Sequence, residues 1–201
     1  MEESMRKLLA ALALCLCVTT AQADLFEDAV GAYNRGDYAT ALLLFRPFAE
    51  QGHVDAQFNL GLMYDKGEGT PQDYAAALKW YRLAAEQGDA SAQYNVALMH
   101  DQGEGTAQDY AEALQWYRLA AAQGDADAQY NLGVMYGKGL GTPQDYAEAH
   151  KYYNLAASRL TDEEKRNLAT TNRDNVAALM TPVQVAEAQK LAREWDKAHP
   201  R

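Results

Sequence analysis

The chain carries the stretch VDAQFNLGLMYDKGEGTPQDYAAALKWYRLAAEQGD at residues 54–89 and, directly after it, ASAQYNVALMHDQGEGTAQDYAEALQWYRLAAAQGD at residues 90–125. The two stretches agree at 25 of 36 positions without a gap. A third copy, ADAQYNLGVMYGKGLGTPQDYAEAHKYYNLAAS, follows at residues 126–158, and a degenerate copy precedes them at residues 24–53. Self-similarity at one fixed spacing predicts a repeat protein in which each copy is one structural unit.

Each copy contains two segments with helical periodicity. Residues from Gln57 to Tyr64 follow the i, i+3, i+4, i+7 spacing of a helix face, and residues from Tyr74 to Ala85 do the same. Each copy is therefore predicted to form a pair of helices, in which small residues face large ones and allow close approach. The core is predicted to include the tyrosines Tyr64, Tyr81, Tyr117, Tyr136 and Tyr153.

The two segments of each copy are separated by a glycine-rich loop. Gly67 and Gly69 supply the positive φ that ends a helix and turns the chain. Thr70 and Pro71 then predict the cap and first residue of the next helix. A nucleotide-binding loop is excluded because this loop follows a helix and lacks the Lys-Ser/Thr ending.

The repeated pattern AxxNLGxMYxxGxGTPQDYxxAxxWYxxAAxQGD resembles the Sel-one-like (Sel1-like) repeat family, a branch of the tetratricopeptide-like solenoids. The resemblance implies an all-α, right-handed superhelical solenoid of antiparallel helix pairs. Residues 24–53 resemble a shorter hairpin with its turn between Tyr33 and Tyr38. Residues 159–201 resemble the ending of many bacterial members and predict two capping helices, over about 162–180 and 182–197.

Helix-start signatures support these two capping helices independently of the resemblance. Thr161 with Glu164, and Thr181 with Gln184, have the spacing of a capping box. Pro182, directly after Thr181, suits the first position of a helix. The pair is expected to cover the apolar face that the last repeat would otherwise expose.

The first 23 residues have the pattern of a signal peptide. A basic pair at residues 6–7 precedes an apolar run at residues 8–18, and Ala21-Gln22-Ala23 offers the small residues that a signal peptidase needs. The run is shorter than the roughly 20 residues that span a bilayer. We therefore expect cleavage near Ala23, a periplasmic or secreted protein, and no stable membrane insertion of the mature chain.

The choice between Met1 and Met5 as the true start does not alter this expectation of export. Both cysteines, Cys15 and Cys17, lie in the leader. The mature chain is therefore expected to form no disulfide, no thiolate metal site and no cysteine nucleophile.

The charge balance restricts the class of partner. The sequence has 28 acidic and 18 basic residues, which gives a formal net charge of −10. Nucleic acids and anionic membrane surfaces require a basic face, so neither is an expected partner. Another protein or peptide is expected instead, and the pattern makes no prediction about oligomeric state.

No group of residues in the sequence predicts catalysis, a cofactor or a metal. The histidines at 53, 100, 150 and 199 have no ligand spacing, and His100 and His150 occupy repeat positions that elsewhere hold Tyr and Leu. These two are therefore predicted to pack in the interior. The loop acids do not follow the calcium-loop pattern, and the third copy has Gly137 and Leu140 at two of their positions.

A stripe on the first helix of each copy is the predicted partner-binding site. It lies about 100–140° around the helix from the face that packs on the second helix. Aromatic rings supply contact area there, and amides pair with an extended backbone in both senses. This first-helix stripe consists of Phe58, Asn59, Leu62 and Asp65, then Tyr94, Asn95, Leu98 and Asp101, then Tyr130, Asn131 and Val134.

The resemblance adds a role for the asparagines of this stripe. In tetratricopeptide peptide-binders, the residue at the position of Asn59, Asn95 and Asn131 contacts the backbone of the ligand. The alternative is that these asparagines only bridge neighbouring repeats.

The sequence thus favours an exported interaction scaffold that regulates an envelope complex or a sensor on the inner, concave face of its solenoid. The alternative function is a β-lactam-recognising or peptidoglycan-linked enzyme of the cysteine-rich Sel-one-like type. The absence of cysteine after residue 23 weakens that alternative.

Overall fold

The computed structural model describes residues 24–199, and the predicted signal peptide lies outside this range. Ten helices make up the described part of the chain. They are α1 (24–34), α2 (Tyr38–Glu50), α3 (Val54–Lys66), α4 (Tyr74–Glu86), α5 (Ala90–Gln102), α6 (Tyr110–Ala122), α7 (Ala126–Lys138), α8 (Tyr146–Arg159), α9 (Glu163–Ala177) and α10 (Pro182–Ala198).

The helices pack as sequential pairs, which confirms the predicted all-α repeat array. Within a repeat, α3 packs on α4, α5 on α6, and α7 on α8. Between repeats, α2 packs on α3, α4 on α5, and α6 on α7. We call α1, α3, α5 and α7 the first helices, and α2, α4, α6 and α8 the second helices.

Buried tyrosines on the second helices fill the space between the two helices of a repeat. Tyr81 and Tyr117 have no exposed surface. A Cβ atom built on Gly61 would lie 2.5 Å from the Tyr81 ring, so the ring packs directly on the backbone of α3. Tyr64 packs against the core but is only half-buried, and its hydroxyl accepts from Nη2 of Arg46 at 3.0 Å.

The loop inside each repeat differs from the sequence prediction in where the second helix begins. Thr70 and Pro71 precede the helix, and Asp73 is the N-cap, its carboxylate accepting from the backbone N–H of Ala76 at 3.0 Å. Gln72 occupies the intervening position and donates to the carbonyl of Asp65 at 2.6 Å. The residues Thr70, Pro71 and Gln72 therefore belong to the loop, which folds back over the end of the first helix.

One glycine of this loop is required by the contact between repeats. Gly69 has a φ of 72°, and a Cβ atom built there would lie 2.5 Å from the carbonyl oxygen of Tyr38 in the preceding repeat. No L-residue with a side chain fits so close to a backbone. The loop of one repeat therefore rests on the start of the second helix of the repeat before it.

The two C-terminal helices both pack against α8. The helix α10 begins with the predicted capping box, in which Thr181 and Gln184 bond each other's backbone N–H. The helix α9 begins one residue later than predicted, because Asp162 rather than Thr161 caps it by accepting from the N–H of Lys165 at 2.8 Å.

Candidate functional site

All eleven residues of the predicted first-helix stripe are half-buried. The aromatic member in each copy packs against the buried tyrosine of its own repeat. The ring centroids are 5.7, 5.9 and 5.7 Å apart in the pairs Phe58–Tyr81, Tyr94–Tyr117 and Tyr130–Tyr153. Each ring therefore contributes one side to the core and offers the remainder to a partner.

The three asparagines of the stripe have different surroundings. Asn59 donates to the carbonyl of Asp55 in its own helix at 2.7 Å. The amide of Asn131 lies near the hydroxyls of Tyr94 and Tyr117 in the preceding repeat, a position that suits the alternative, bridging role. Asn95 makes no hydrogen bond to any residue between 24 and 199. Its amide is the one among the three that is available to a ligand.

The aspartates of the stripe are held by buried tyrosines. The Tyr81 hydroxyl donates to Asp65 at 3.3 Å, and the Tyr117 hydroxyl donates to Asp101 at 3.4 Å. Burial raises the pKa of both carboxyl groups, and the tyrosine hydrogen bond opposes that rise. The third copy has Gly137 at this position and therefore no carboxylate.

The C-terminal helix α9 lies beside the last part of the stripe. Lys165 donates to Asp127 at 2.6 Å, and Asn172 donates to the hydroxyl of Tyr130 at 2.9 Å. A cavity of about 240 Å³ separates α9 from α5 and α7, with Tyr94 and Asn131 in its wall. The helix α9 thus contacts the third copy of the stripe and, across this cavity, adjoins Tyr94 of the second copy.

Sequence reasoning missed a row of arginines that joins successive repeats. Arg46 and Arg118 donate to tyrosine hydroxyls of the next repeat, at 3.0 and 2.6 Å respectively. In the same register, Arg82 lies 3.2 Å from Nε2 of His100 and donates to Glu112 at 3.1 Å. The recurrence of arginine every 36 residues was the signal for this row.

The histidines at positions 100 and 150 are buried, as predicted, with 7% and 2% of their surface exposed. The Nδ1 atom of each ring is buried and has no hydrogen-bond partner between residues 24 and 199. Burial lowers the pKa of both histidines. Their surroundings therefore favour the neutral ring.

A second missed feature is a glutamine network that connects the repeats. Gln57 donates to the carbonyl of Ala49, and Gln87 donates to Oε1 of Gln57 at 2.7 Å and to the carbonyl of Gly52 at 3.1 Å. One repeat later, Gln93 and Gln123 make the same bonds. The network satisfies buried polar groups at each joint.

Within residues 24–199, no helix has the length and apolar character to cross a membrane. The same residues contain no group of three or more His, Cys, Asp and Glu side chains placed to hold a metal ion.

Comparison with family models gives a match along most of the repeats. The model described as the Sel1 repeat matches residues 23–53, 54–89, 90–125 and 126–159. A search of curated proteins found no match to this chain.

Two solved structures resemble the chain. A Sel1 repeat protein from Oxalobacter formigenes is 33% identical with a TM-score of 0.66, over 75% of this chain and 58% of that one. The protein c5321, a protective antigen present in uropathogenic Escherichia coli strains and displaying an SLR fold, is 28% identical with a TM-score of 0.58. That match covers 79% of this chain and 41% of c5321. The chain thus spans about half the length of these relatives.

Proposed function

This chain belongs to the Sel1 repeat family, and from that membership we propose that it is an exported scaffold that binds an extended segment of a partner protein on its first-helix stripe. Repeats of this family generally serve protein–protein interaction. The leader pattern in residues 6–23 supports a periplasmic or secreted location. In this role the protein regulates an envelope complex or a sensor and catalyses no reaction.

The observation that carries the proposal is the middle of the stripe. There Tyr94 and Leu98 are half-buried, and Asn95 presents an amide without a partner in the described residues. An amide offers both a donor and an acceptor, which is what one peptide unit of an extended chain requires. The half-buried ring and aliphatic side chain supply the contact area on either side.

Charge indicates which segments the stripe prefers. The first helices carry seven acidic and two basic side chains, whereas the second helices carry four acidic and six basic ones. The stripe itself contributes Asp65 and Asp101 to this acidic excess, and negative charge attracts and orients a basic partner. The proposed partner segment therefore carries lysine or arginine.

The experiment is site-specific photocrosslinking in the native cell, with the photoreactive side chain at Leu98 on the stripe or at Gln115 on an exposed part of α6. Crosslinking to one partner from Leu98 and not from Gln115 is the expected result. The crosslinked segment is then synthesised, and its affinity is expected to fall about tenfold for Asn95→Ala, since an unpaired amide partner is costly to leave in an interface. Equal crosslinking from both positions would contradict the proposal.

Export has its own measurement. Amino-terminal sequencing of the protein recovered from the envelope or the medium is expected to begin at Asp24. Recovery only inside the cell with the leader attached would remove that part of the proposal.

A further inference from the structure

The last repeat lacks a carboxylate that the two repeats before it possess. In those repeats, the hydroxyl of a buried tyrosine donates to Asp65 or to Asp101. The equivalent tyrosine of the last repeat is Tyr153, and the residue at the aspartate position is Gly137. The tyrosine has been kept while its acceptor is missing.

The hydroxyl of Tyr153 is consequently left without a partner. Only 5% of the Tyr153 surface is exposed, and its hydroxyl makes no hydrogen bond within residues 24–199. A Cβ atom built on Gly137 would lie 3.9 Å from this hydroxyl. Burial raises the pKa of Tyr153 to about 12, so the group keeps its proton at neutral pH.

A pocket of about 370 Å³ opens where the carboxylate is missing, between α7 and α9. Tyr153 and Gly137 both line it, and the unpartnered hydroxyl lies beside Gly137. This volume falls within the range of ligand pockets in proteins. The space is therefore sufficient for a terminal residue of a peptide.

The polar groups around this pocket include several hydrogen-bond donors. Lys138 is exposed and makes no ion pair within 4 Å in the described part of the chain, while its charge acts at longer range on the Asp101 carboxylate. Asn175 has an amide with no partner in residues 24–199, and the Asn172 amide donates to the hydroxyl of Tyr130 at 2.9 Å. No acidic side chain belongs to the lining. A cation, two amides and a tyrosine hydroxyl in the lining of one cavity offer donors to a negatively charged oxygen.

We propose that this pocket binds the carboxylate of a ligand, with the carboxylate in the place that the Asp65 and Asp101 side chains take in the inner repeats. The ligand carboxylate accepts from the Tyr153 hydroxyl and pairs with Lys138. The end of α7 does not oppose an anion strongly, because Gln144 donates to the carbonyl of Gly137 at 2.7 Å.

The rest of the wall consists of the side chains of Tyr130 and Tyr146 and of aliphatic residues, and it indicates what adjoins the carboxylate. Val134, Val176 and Leu179 contribute aliphatic surface beside the polar groups. A carboxylate next to an aliphatic side chain is the chemistry of a chain terminus ending in a residue such as leucine. An aspartate or glutamate side chain would present the same carboxylate with less apolar contact.

The test is an NMR titration of the purified protein with N-acetyl-leucine. We expect saturable shifts of the Gly137 and Lys138 backbone amides, with a dissociation constant of about 1–10 mM for so small a ligand. N-acetyl-leucinamide, which lacks the charge, is expected to bind at least about tenfold more weakly. N-acetyl-aspartic acid α-amide carries a side-chain carboxylate instead of a terminal one. The acid with the lower dissociation constant shows whether the pocket prefers a chain terminus or an acidic side chain.

Two substitutions at one position provide the matched control. Gly137→Asp restores the aspartate of the inner repeats and is expected to abolish binding, whereas Gly137→Ala adds a methyl group at ordinary contact distance and is expected to preserve it. Tyr153→Phe is expected to weaken binding about fivefold. Circular dichroism verifies that each variant keeps its helices. Unsaturable shifts in the wild type, or equal affinities of the acid and its amide, would overturn the proposal.

This inference rests on the proposed function in that a partner protein would supply the carboxylate. The two fail separately, however. If Gly137→Asp no longer binds N-acetyl-leucine, the result supports the pocket. If the same variant still crosslinks from Leu98, the result supports the stripe as a separate site. Absence of acetyl-leucine binding to the wild type removes the pocket alone.

Discussion

The contact between two inner repeats and the contact between the last repeat and α10 are made by different residues at the same repeat position. At the inner joint, Gln123 donates to Oε1 of Gln93 at 2.9 Å and to the carbonyl of Gly88 at 2.8 Å. At the end joint, the equivalent residue is Arg159, which donates to Asp196 at 2.8 Å and to the carbonyl of His199 at 3.0 Å. Gln123 thus connects one repeat to another repeat, whereas Arg159 connects the last repeat to the C-terminal helix α10.

This difference shows that the neighbour selects the residue at each repeat position. Arg159 also lies 4.8 Å from the centroid of the Trp195 ring, so it holds α10 by charge and by stacking. The presence of arginine instead of glutamine at position 159 also removes a hydrogen bond within the repeat array. Gln129 loses the donor that its equivalents possess, and its Oε1 is buried without a partner in the described chain.

The strongest way to break this comparison is to truncate both residues. Arg159→Ala is expected to lower the free energy of unfolding by about 2 kcal/mol, because the side chain of Arg159 is largely buried. A larger effect is not expected, since Asp196 is partly exposed and solvent weakens the ion pair. Gln123→Ala is expected to lower it by about 1 kcal/mol, the usual effect of losing a hydrogen-bond partner. Urea unfolding measures both values.

Hydrogen exchange tells the two variants apart by location. In Arg159→Ala, the amides of residues 185–198 are expected to exchange faster while those of α5 and α6 keep their protection, since repeat arrays open locally. Uniform loss of protection along the chain in this variant would show that α10 is not a separate element.

A smaller effect is expected from removing the hydroxyls of equivalent tyrosines. Tyr117→Phe leaves the half-buried carboxylate of Asp101 without its donor and is expected to cost about 1 kcal/mol. Tyr153→Phe removes a hydroxyl that has no partner in the described residues and is expected to change stability by less than about 0.5 kcal/mol. Thermal unfolding of the two variants compares them, and equal losses would contradict the difference between the repeats.

The smallest expected effect is the pH dependence of the two buried histidines. Burial depresses the folded pKa of His100, which faces Arg82, Glu112 and Asp109, below its ordinary value of 6.5. A depressed pKa contributes stability that is present above pH 6.5 and is lost as the pH falls through the folded value. His150, beside Arg173 and Asp174 of α9, has the same sign.

Substituting each histidine by the residue of its sister repeats sharpens the comparison. We expect His100→Tyr and His150→Leu each to reduce the fall in Tm between pH 7.5 and pH 5. A fall that is unchanged in both variants would show that other groups cause it. If His150→Leu has the larger effect, the end of the array loses stability first in acid.

The repeat sequence predicts the fold well because its signals are local. Helical periodicity and the 36-residue spacing gave the helix pairs, and the Thr181 capping box marked the start of α10. The start of the second helix was placed too early because Thr-Pro imitates a cap. The helix begins later because Gln72 donates to the carbonyl of Asp65 and keeps the loop folded over the first helix. Helical periodicity does not reveal such a contact between a loop and a helix end.

The candidate site was less predictable because it depends on contacts between distant residues. The sequence shows that Gly137 replaces an aspartate, but it does not show that the aspartate would have met a tyrosine sixteen residues later. The sequence equally left open whether Asn131 binds a ligand or bridges repeats. Its position near Tyr94 and Tyr117 suits bridging, and that position depends on the packing of two repeats.

The glutamine network has a consequence for how such a chain changes length during evolution. Each inner joint presents one glutamine oxygen and one glutamine amide in the same arrangement, at Gln57 with Gln87 and again at Gln93 with Gln123. A duplicated 36-residue segment inserted between them would therefore find matching groups on both sides. Arg159 does not match, so copies can accumulate ahead of it while the terminal copy stays the same.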